Sequence, residues 1–261
     1  MFGAIIGDIV GSPYETKKTN IKTTVFPFFD GRSRFTDDTV LTAATADAIL
    51  HQREFADAYK DWGRQYLDYG FFGRNFRTWL QSESDKPYAA CSNGCAMRIS
   101  PVGWAFDTLE ETLAVAKKSA ECSHNHPDGI KGAQAAAAVV WLGRNNKTKE
   151  EIKSYVETTF GYNLNQTLDE IRPGYKFDVT CEGTLPVSLL AFLESTDFEN
   201  AIRLAVSMGG DSDTIACITG AMADAFYRHI PQDIQDFMRS KLPPSFLSIL
   251  TEFEQKYVSR K

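Results

Sequence analysis

Small residues at helical spacing constrain the fold of this chain more than any other feature. Gly3, Gly7 and Gly11 recur every four positions in an apolar segment, and alanines crowd residues 43–48 and 133–138. A glycine inside a helix costs about 1 kcal/mol relative to alanine, and close approach of a neighbouring backbone can offset that loss. We therefore predict that these three segments are helices packed closely together at the centre of the molecule.

Helical periodicity extends over most of the remaining chain. Apolar residues recur at spacings of three and four in the segments 38–51, 54–69, 107–121, 129–143, 184–195, 197–207, 214–229 and 244–257. Alternating patterns typical of strands are scarce, and the best of them, residues 21–26, is short enough to be an edge strand or a loop. With no internal repeat and no low-complexity linker, residues 1–261 are predicted to form a single compact all-α domain of orthogonally packed helices.

Charge and composition argue against several classes of protein. The net charge of −6 lacks the basic excess of a general nucleic-acid-binding protein. No apolar stretch reaches the roughly 18–20 residues of a membrane span. The first residues carry no basic segment, and Asp8 interrupts their apolar run, so they do not resemble a secretory signal and a cytoplasmic location is expected. The five cysteines are odd in number and irregularly spaced, which predicts reduced thiols.

Two acidic segments precede markedly apolar helices: residues 36–39 (TDDT) and residues 209–214 (GGDSDT). Either segment alone is typical of a helix cap, because aspartate, serine and threonine are preferred there. Together they place four carboxylates at the starts of two helices that should share one core. Such carboxylates repel one another if the helix starts converge, and divalent cations would relieve that repulsion.

The ligand chemistry of these segments indicates a hard cation. Carboxylate and hydroxyl oxygens without imidazole or thiolate suit Mg²⁺ or Mn²⁺, and a pair of such ions can orient a substrate and activate a water. The alternative is a zinc site built from Cys91, Cys95, Cys122, His124 and His126. Their spacings are loose for zinc, and buried thiols are the simpler interpretation.

The two acidic segments occur in order with five others: GAIIGDIVGSPYE, YGFFGRNFRTWL, SNGCAMRISPVG, SHNHPDGIKGAQAAA and EGTLPVSLLAFL. In this combination the chain resembles the ADP-ribosylglycohydrolase family over nearly its whole length. The resemblance implies an all-α fold with a binuclear Mg²⁺ centre, in which Mn²⁺ can replace Mg²⁺. It also implies hydrolysis of the bond between C1″ of ADP-ribose and a modified protein side chain or small molecule, with ADP-ribose as product. The linkage cleaved, the natural target and the oligomeric state stay open, and ADP-ribosylated nucleic acid remains an alternative acceptor.

The resemblance also assigns site residues. The implied metal ligands are Thr36, Asp37, Asp38, Asp211, Asp213 and Thr214. The implied catalytic residues are Glu15 and Asp38, either of which could be the general base. The implied substrate-binding residues are Phe71, Phe72, Gly73, Ser92, Asn93, Gly94, His124, Gly209, Gly210 and Ser212. The loop 70–73 reads Gly-Phe-Phe-Gly where the family more often has Gly-Tyr-Gly. A non-catalytic ADP-ribose-binding protein on the same fold is the competing hypothesis, and the complete set of oxygen ligands favours the enzyme.

Overall fold

A computed structural model describes residues 1–259 of the chain, which fold into helices joined by loops. The α-helices are α1 (Phe2–Gly11), α2 (Asp37–His51), α3 (Phe55–Gln65), α4 (Arg74–Gln81), α5 (Gly94–Met97), α6 (Ser100–Ala105), α7 (Leu109–Glu121), α8 (Pro127–Arg144), α9 (Lys149–Phe160), α10 (Leu168–Ile171), α11 (Cys181–Glu194), α12 (Phe198–Val206), α13 (Ser212–Tyr227), α14 (Gln232–Ser240) and α15 (Pro244–Phe253). Short 3₁₀ turns occur at Ser12–Tyr14 and Leu67–Tyr69, and a π turn at Glu254–Val258. Within residues 1–259 no strand forms, and an isolated antiparallel bridge joins Ser92 to Thr180. The all-α prediction is confirmed.

The glycine stripe of α1 packs against α13 in antiparallel orientation. A methyl group added at Gly3 would overlap the backbone of Gly220, one at Gly7 would overlap Ala216, and one at Gly11 would lie 2.5 Å from the Cα of Asp213. The two backbones therefore touch along the whole length of α1, as the four-residue spacing predicts. This packing brings the end of α1 to the start of α13.

The alanine-rich helices α2 and α8 also lie at the centre of the molecule. In α8 the residues 135–140 are all buried, and this helix packs against α6, α7 and α13. In helix α2 the residues from Asp38 to Ala48 are buried on all faces of the helix. The helix contacts α1, α3, α6 and α15. A helix that is apolar all round lies inside a protein, so the starts of α2 and α13 lie within the core.

Several elements differ from the sequence-based expectations. The predicted helical segments do not include α4, α5, α6, α9, α10 and α14, and the predicted helix 54–69 breaks after Gln65 into a short 3₁₀ turn. Residues 21–26 lie in a loop, one of the two forms expected of them. The prediction of a single domain extends to residues 260 and 261, which lie outside the described part. Among the described helices none has the length and apolar character needed to cross a bilayer.

Candidate metal centre and substrate cavity

The two acidic segments do not act as ordinary helix caps. Thr36 and Asp211 are the N-cap residues of α2 and α13, but neither side chain accepts a hydrogen bond from the backbone of its own helix. Helix α2 is instead capped by a side chain from α1, because Asp8 accepts hydrogen bonds from the backbone N–H of Thr39 at 3.1 Å and of Thr36 at 2.9 Å. Neither N-cap side chain therefore caps its own helix, although Asp37, Asp38 and Asp213 lie in the first turns, where carboxylates favour the positive end of the helix dipole.

Asp8 is a residue of this region that the sequence analysis did not assign to the site. It is fully buried, and besides the two backbone N–H groups its carboxylate accepts the hydroxyls of Thr36, at 2.6 Å, and Thr39. Burial raises the pKa of Asp8 to about 6, although the four hydrogen bonds act in the opposite direction. Its partners lie 28 and 31 positions away. The available signal was a carboxylate inside an otherwise apolar, glycine-striped helix.

Carboxylates form two overlapping clusters at the starts of α2 and α13. Oxygens of Asp8, Asp38 and Asp213 lie within 4.8 Å of one another, and so do oxygens of Glu15, Asp211 and Asp213. Asp213 belongs to both clusters. Within residues 1–259 neither cluster includes a cysteine or a histidine, so the zinc alternative gains no support. Three of the four predicted aspartate ligands, Asp38, Asp211 and Asp213, belong to the clusters, whereas Asp37 belongs to neither.

Electrostatics in these clusters is unfavourable for ionised carboxylates. Burial, and after it the neighbouring carboxylates, raise the pKa of Asp38 and of Asp213 well above the usual range. Burial is also the main cause that raises the pKa of Asp211 to about 7 and the pKa of Glu15 above its ordinary value. Like charges in a buried site disfavour ionisation, and a bound cation would reverse that preference.

A buried carboxylate oxygen lacks a partner at this centre. Oδ1 of Asp38 makes no hydrogen bond, while Oδ2 accepts from Oγ1 of Thr36 at 3.3 Å and from Oγ1 of Thr214 at 3.4 Å. A buried unpaired carboxylate oxygen costs free energy unless something compensates it. An orphaned oxygen among clustered carboxylates and hydroxyls fits divalent cations such as Mg²⁺.

Two asparagines hold the second acidic segment in place. Gly209 and Gly210 adopt φ angles of 64° and 72°, a left-handed turn that favours glycine. Asn20 spans this turn, because its Oδ1 accepts from the N–H of Gly210 at 2.6 Å and its Nδ2 donates to the carbonyl of Gly210 at 3.0 Å. Asn93 donates to Oδ2 of Asp211 at 2.6 Å and to Oγ1 of Thr184 at 3.0 Å. Both amides orient Asp211 relative to Asp213.

A cavity of about 630 Å³ lies over the carboxylates, a size typical of small-molecule sites. The predicted site residues in its wall are Glu15, Asp37, Asp38, Phe71, Gly73, Ser92, Asn93, Gly94, His124, Asp211, Asp213 and Thr214. The predicted residues outside its wall are Thr36, Phe72, Gly209, Gly210 and Ser212. Phe72 packs instead between the rings of Phe71 and Phe76, so its place is in the aromatic core beside the cavity.

The cavity has further lining residues that the sequence analysis did not assign. Arg74, Asn75 and Tyr88 belong to its wall, and the half-exposed side chains of Phe177 and Val179 add apolar surface. The last two lie in the loop before α11, where no periodicity marks them. The wall therefore combines carboxylates at one place with aromatic and hydroxyl groups elsewhere.

Comparison with known proteins agrees with this architecture. Residues 1–252 match the sequence model described as ADP-ribosylglycohydrolase. The chain belongs to the ADP-ribosylglycohydrolase family. Among relatives of this family, the ADP-ribosylarginine hydrolase Tri1 of Pseudomonas putida (strain GB-1) is 26% identical over 87% of this chain and 69% of its own length. The ADP-ribosylhydrolase ARH3 of Homo sapiens is 24% identical over 86% of this chain and 83% of its own.

A solved structure shares the fold. The chain described as "ADP-ribosylglycohydrolase-related protein complex" superposes with a TM-score of 0.70 and 22% sequence identity, covering 92% of this chain and 96% of that one. The all-α architecture of this ADP-ribosylglycohydrolase family member is therefore that of a known structure.

Proposed function

We propose that this protein hydrolyses the glycosidic bond that joins C1″ of an ADP-ribosyl group to a protein side chain or a related acceptor, with two Mg²⁺ ions. The observation that carries this proposal is the pair of carboxylate clusters sharing Asp213 beneath a cavity of about 630 Å³. Membership of the ADP-ribosylglycohydrolase family, and relatives named as ADP-ribosylhydrolases, support the reaction class.

The residues that would hold the ions are Thr36, Asp37, Asp38, Asp211, Asp213 and Thr214. Asp213 would be common to both ions because it is common to both clusters. Asp8 is assigned a supporting role, since its oxygens already accept four hydrogen bonds from Thr36 and Thr39. When bound, two Mg²⁺ or Mn²⁺ ions would supply positive charge that orients ribose hydroxyls and lowers the pKa of a water.

Glu15 is the better placed of the two candidate bases. It follows the 3₁₀ turn after α1, lies in the cavity wall and is only partly buried, so a water in the cavity can reach it. Asp38 is almost fully buried, and its Oδ2 already accepts the hydroxyls of Thr36 and Thr214. We assign to Glu15 the proton that leaves the attacking water as the water oxygen bonds to C1″ and the bond between C1″ and the acceptor breaks, in an oxocarbenium-like transition state of the kind common to glycoside hydrolysis. The acceptor departs with the bonding electron pair and takes up a proton from solvent.

The remaining wall of the cavity suits the rest of the substrate. Ser92, Asn93 and Gly94 start α5 and supply small polar groups for the diphosphate, with His124 directly behind Ser92. Phe71 and Phe177 offer apolar faces for the adenosine. Mixed apolar walls with a few placed polar groups are typical of nucleotide-sized ligands.

The test is a panel of defined substrates. Peptides ADP-ribosylated on arginine or on serine, and an ADP-ribosylated nucleic-acid end, are incubated with the pure protein and Mg²⁺, and released ADP-ribose is measured by chromatography. We expect release from at least one substrate, and loss of release in EDTA and in Asp213→Asn. Tight binding of ADP-ribose with no release from any substrate would contradict hydrolysis and support a non-catalytic binding protein.

A further inference from the structure

We propose that Arg98 and Ser123 are positioning residues that fix the direction of the hydrogen bond between His124 and Ser92, so that the Ser92 hydroxyl donates its proton into the cavity. The site would thereby select an anionic acceptor oxygen, such as a phosphate oxygen, at this position. The identity of the ligand as ADP-ribose rests on the proposed function, whereas the hydrogen-bond direction rests on the geometry alone.

Arg98 determines the direction of the hydrogen bonds between these residues. Its side chain is fully buried, its guanidinium carbon lies 3.9 Å from the ring centroid of Tyr59, and its Nη2 donates to the carbonyl of Ser119 at 2.9 Å and to Oγ of Ser123 at 2.8 Å. Arginine stays protonated in proteins and has no acceptor. The Ser123 oxygen therefore accepts, and its own proton remains to be donated.

Ser123 is the next residue in the hydrogen-bond chain and is the partner of the His124 imidazole. Its side chain is fully buried, and Nδ1 of His124 lies 2.8 Å from its Oγ. If Nδ1 carried a proton, the Ser123 oxygen would face two donors, and its hydroxyl proton would have only the Cys122 sulfur, a weak acceptor, as a partner. A buried donor without a good acceptor costs enough free energy to decide between two tautomers. Nδ1 of His124 therefore accepts, and the ring proton is on Nε2.

The neutral ring is consistent with its surroundings. Burial, and after it the positive charge of Arg98, lower the pKa of His124 well below its ordinary value. A neutral imidazole carries one proton, so the nitrogen that accepts from Ser123 determines the nitrogen that donates.

Ser92 receives the donated proton. Its Oγ lies 2.9 Å from Nε2 of His124 and belongs to the cavity wall. Because Nε2–H donates to Ser92, the Ser92 hydroxyl cannot donate back to the ring, and its proton is available to a ligand. The opposite tautomer would make Ser92 donate to His124 and present only lone pairs, which repel an anion. The hydrogen-bond relay Arg98–Ser123–His124–Ser92 thus makes the Ser92 hydroxyl a donor to a ligand in the cavity.

The first test measures the tautomer and needs no ligand. Protein labelled with ¹⁵N-histidine is examined by long-range ¹H–¹⁵N correlation, and His124 is assigned among the four histidines by comparison with His124→Gln. We expect a protonated Nε2 and an unprotonated Nδ1 that persist through the pH range near 6.5 where free histidine titrates. A ring protonated at Nδ1, or at both nitrogens, would overturn the proposal.

A matched pair of variants separates the relay from general packing. Ser123→Ala should lose the pure Nε2–H signature, because nothing then donates to Nδ1. Ser119→Ala removes another fully buried hydroxyl, which contacts Tyr59 at 2.6 Å and not the imidazole, and should keep the signature. Identical tautomers in both variants would show that Ser123 does not set the direction.

The second test measures binding of ADP-ribose with Mg²⁺ by calorimetry. Ser123→Ala and Ser92→Ala should each weaken binding about tenfold, the value of one hydrogen bond to a charged group, and Ser119→Ala should stay within about twofold. The double variant should bind no more weakly than Ser92→Ala, because Ser123 acts only through Ser92. Additive losses would overturn the relay. Absence of binding by the wild type would instead refute the proposed ligand, and the tautomer would then decide the relay.

Discussion

The hydroxyl of Thr214 lies 3.4 Å from a carboxylate oxygen of Asp38, although 176 positions separate the two residues along the chain. The contact exists because α1 lies against both helices: its glycine stripe packs on α13, and its Asp8 caps the start of α2. The candidate metal centre is therefore set by the position of α1, although α1 itself supplies none of the six predicted ligands.

The first prediction concerns the ions. Crystals grown with Mn²⁺ should show two anomalous peaks between residues 36–38 and 211–214, about 3.5–4 Å apart, with Asp213 contacting both. Asp213→Asn should lose both peaks, because the residue is shared by the two clusters. Asp47→Asn is the control, since Asp47 is likewise a buried aspartate, but it lies in α2 and pairs with Arg53 and His51. Wild-type crystals without any peak there would contradict the binuclear centre.

The second prediction concerns pH and chelation. Burial raises the pKa of Asp8 to about 6 and of Asp211 to about 7 in the metal-free fold, against about 3.9 when unfolded. Between these values the folded state holds more protons than the unfolded state, so the free energy of unfolding falls as pH rises. In EDTA the melting temperature should therefore be higher near about pH 5 than near about pH 8.

Addition of Mg²⁺ should reverse the loss at the higher pH. A hundredfold excess over the dissociation constant stabilises the fold by about 3 kcal/mol, and the gain should be largest where the carboxylates would otherwise repel. Melting curves that are identical in EDTA and in Mg²⁺ at both pH values would refute the prediction.

The third prediction separates chemistry from binding. Glu15→Gln removes the charge and keeps the shape, so it should retain ADP-ribose affinity while turnover falls by roughly 10²–10⁴, the usual contribution of a positioned base. Asp213→Asn should weaken Mg²⁺ affinity, ADP-ribose affinity and turnover together. Calorimetry beside a cleavage assay distinguishes the two patterns. Turnover of Glu15→Gln within about threefold of wild type would make Asp38 the better candidate base.

The fourth prediction tests the packing that positions the centre. A methyl group at Gly7 would overlap the backbone carbonyl of Ala216, whereas one at Gly31 meets no atom within 4 Å. Gly7→Ala should therefore destabilise the protein by about 3 kcal/mol or more and weaken Mn²⁺ binding, because it displaces the helix that carries Asp8. Gly31→Ala should change stability by less than about 0.5 kcal/mol. Equal denaturation midpoints for the two variants would disprove the close contact.

Periodicity predicted the longest helices but missed the short helices α5, α6 and α10 and the superficial helices α4, α9 and α14. Helices α2, α8 and α13 have long apolar faces, and their predicted bounds agree with the structure within about three residues. Helix α9 buries only Ile152 and Val156, so its periodicity is weak. Its start carried a different signal, the capping box of Thr148 and Glu151, a pattern that marks a helix without any apolar stripe.

The sequence predicted those site residues that lie together in a local motif, and it did not predict those that act from distant positions in the chain. The acidic segments stand out locally, and their convergence follows from two buried helices in one core. Asn20 acts on Gly210 across 190 positions, and Arg98 acts on Ser123 across 25. Neither interaction leaves a local pattern, because a single asparagine or arginine in a sequence looks the same whether it is solvated or buried.

The antiparallel packing of α1 on α13 also determines when the core can form during synthesis of the chain. During synthesis the glycine-striped first helix leaves the ribosome about 200 residues before its partner, and long-range contacts of this kind form late. Until α13 emerges, the nascent chain exposes an apolar helix with no surface to cover it, a state prone to aggregation. A chain that stops before residue 211 also lacks three of the six proposed ligands, Asp211, Asp213 and Thr214, so we expect truncated products to be inactive and open to proteolysis.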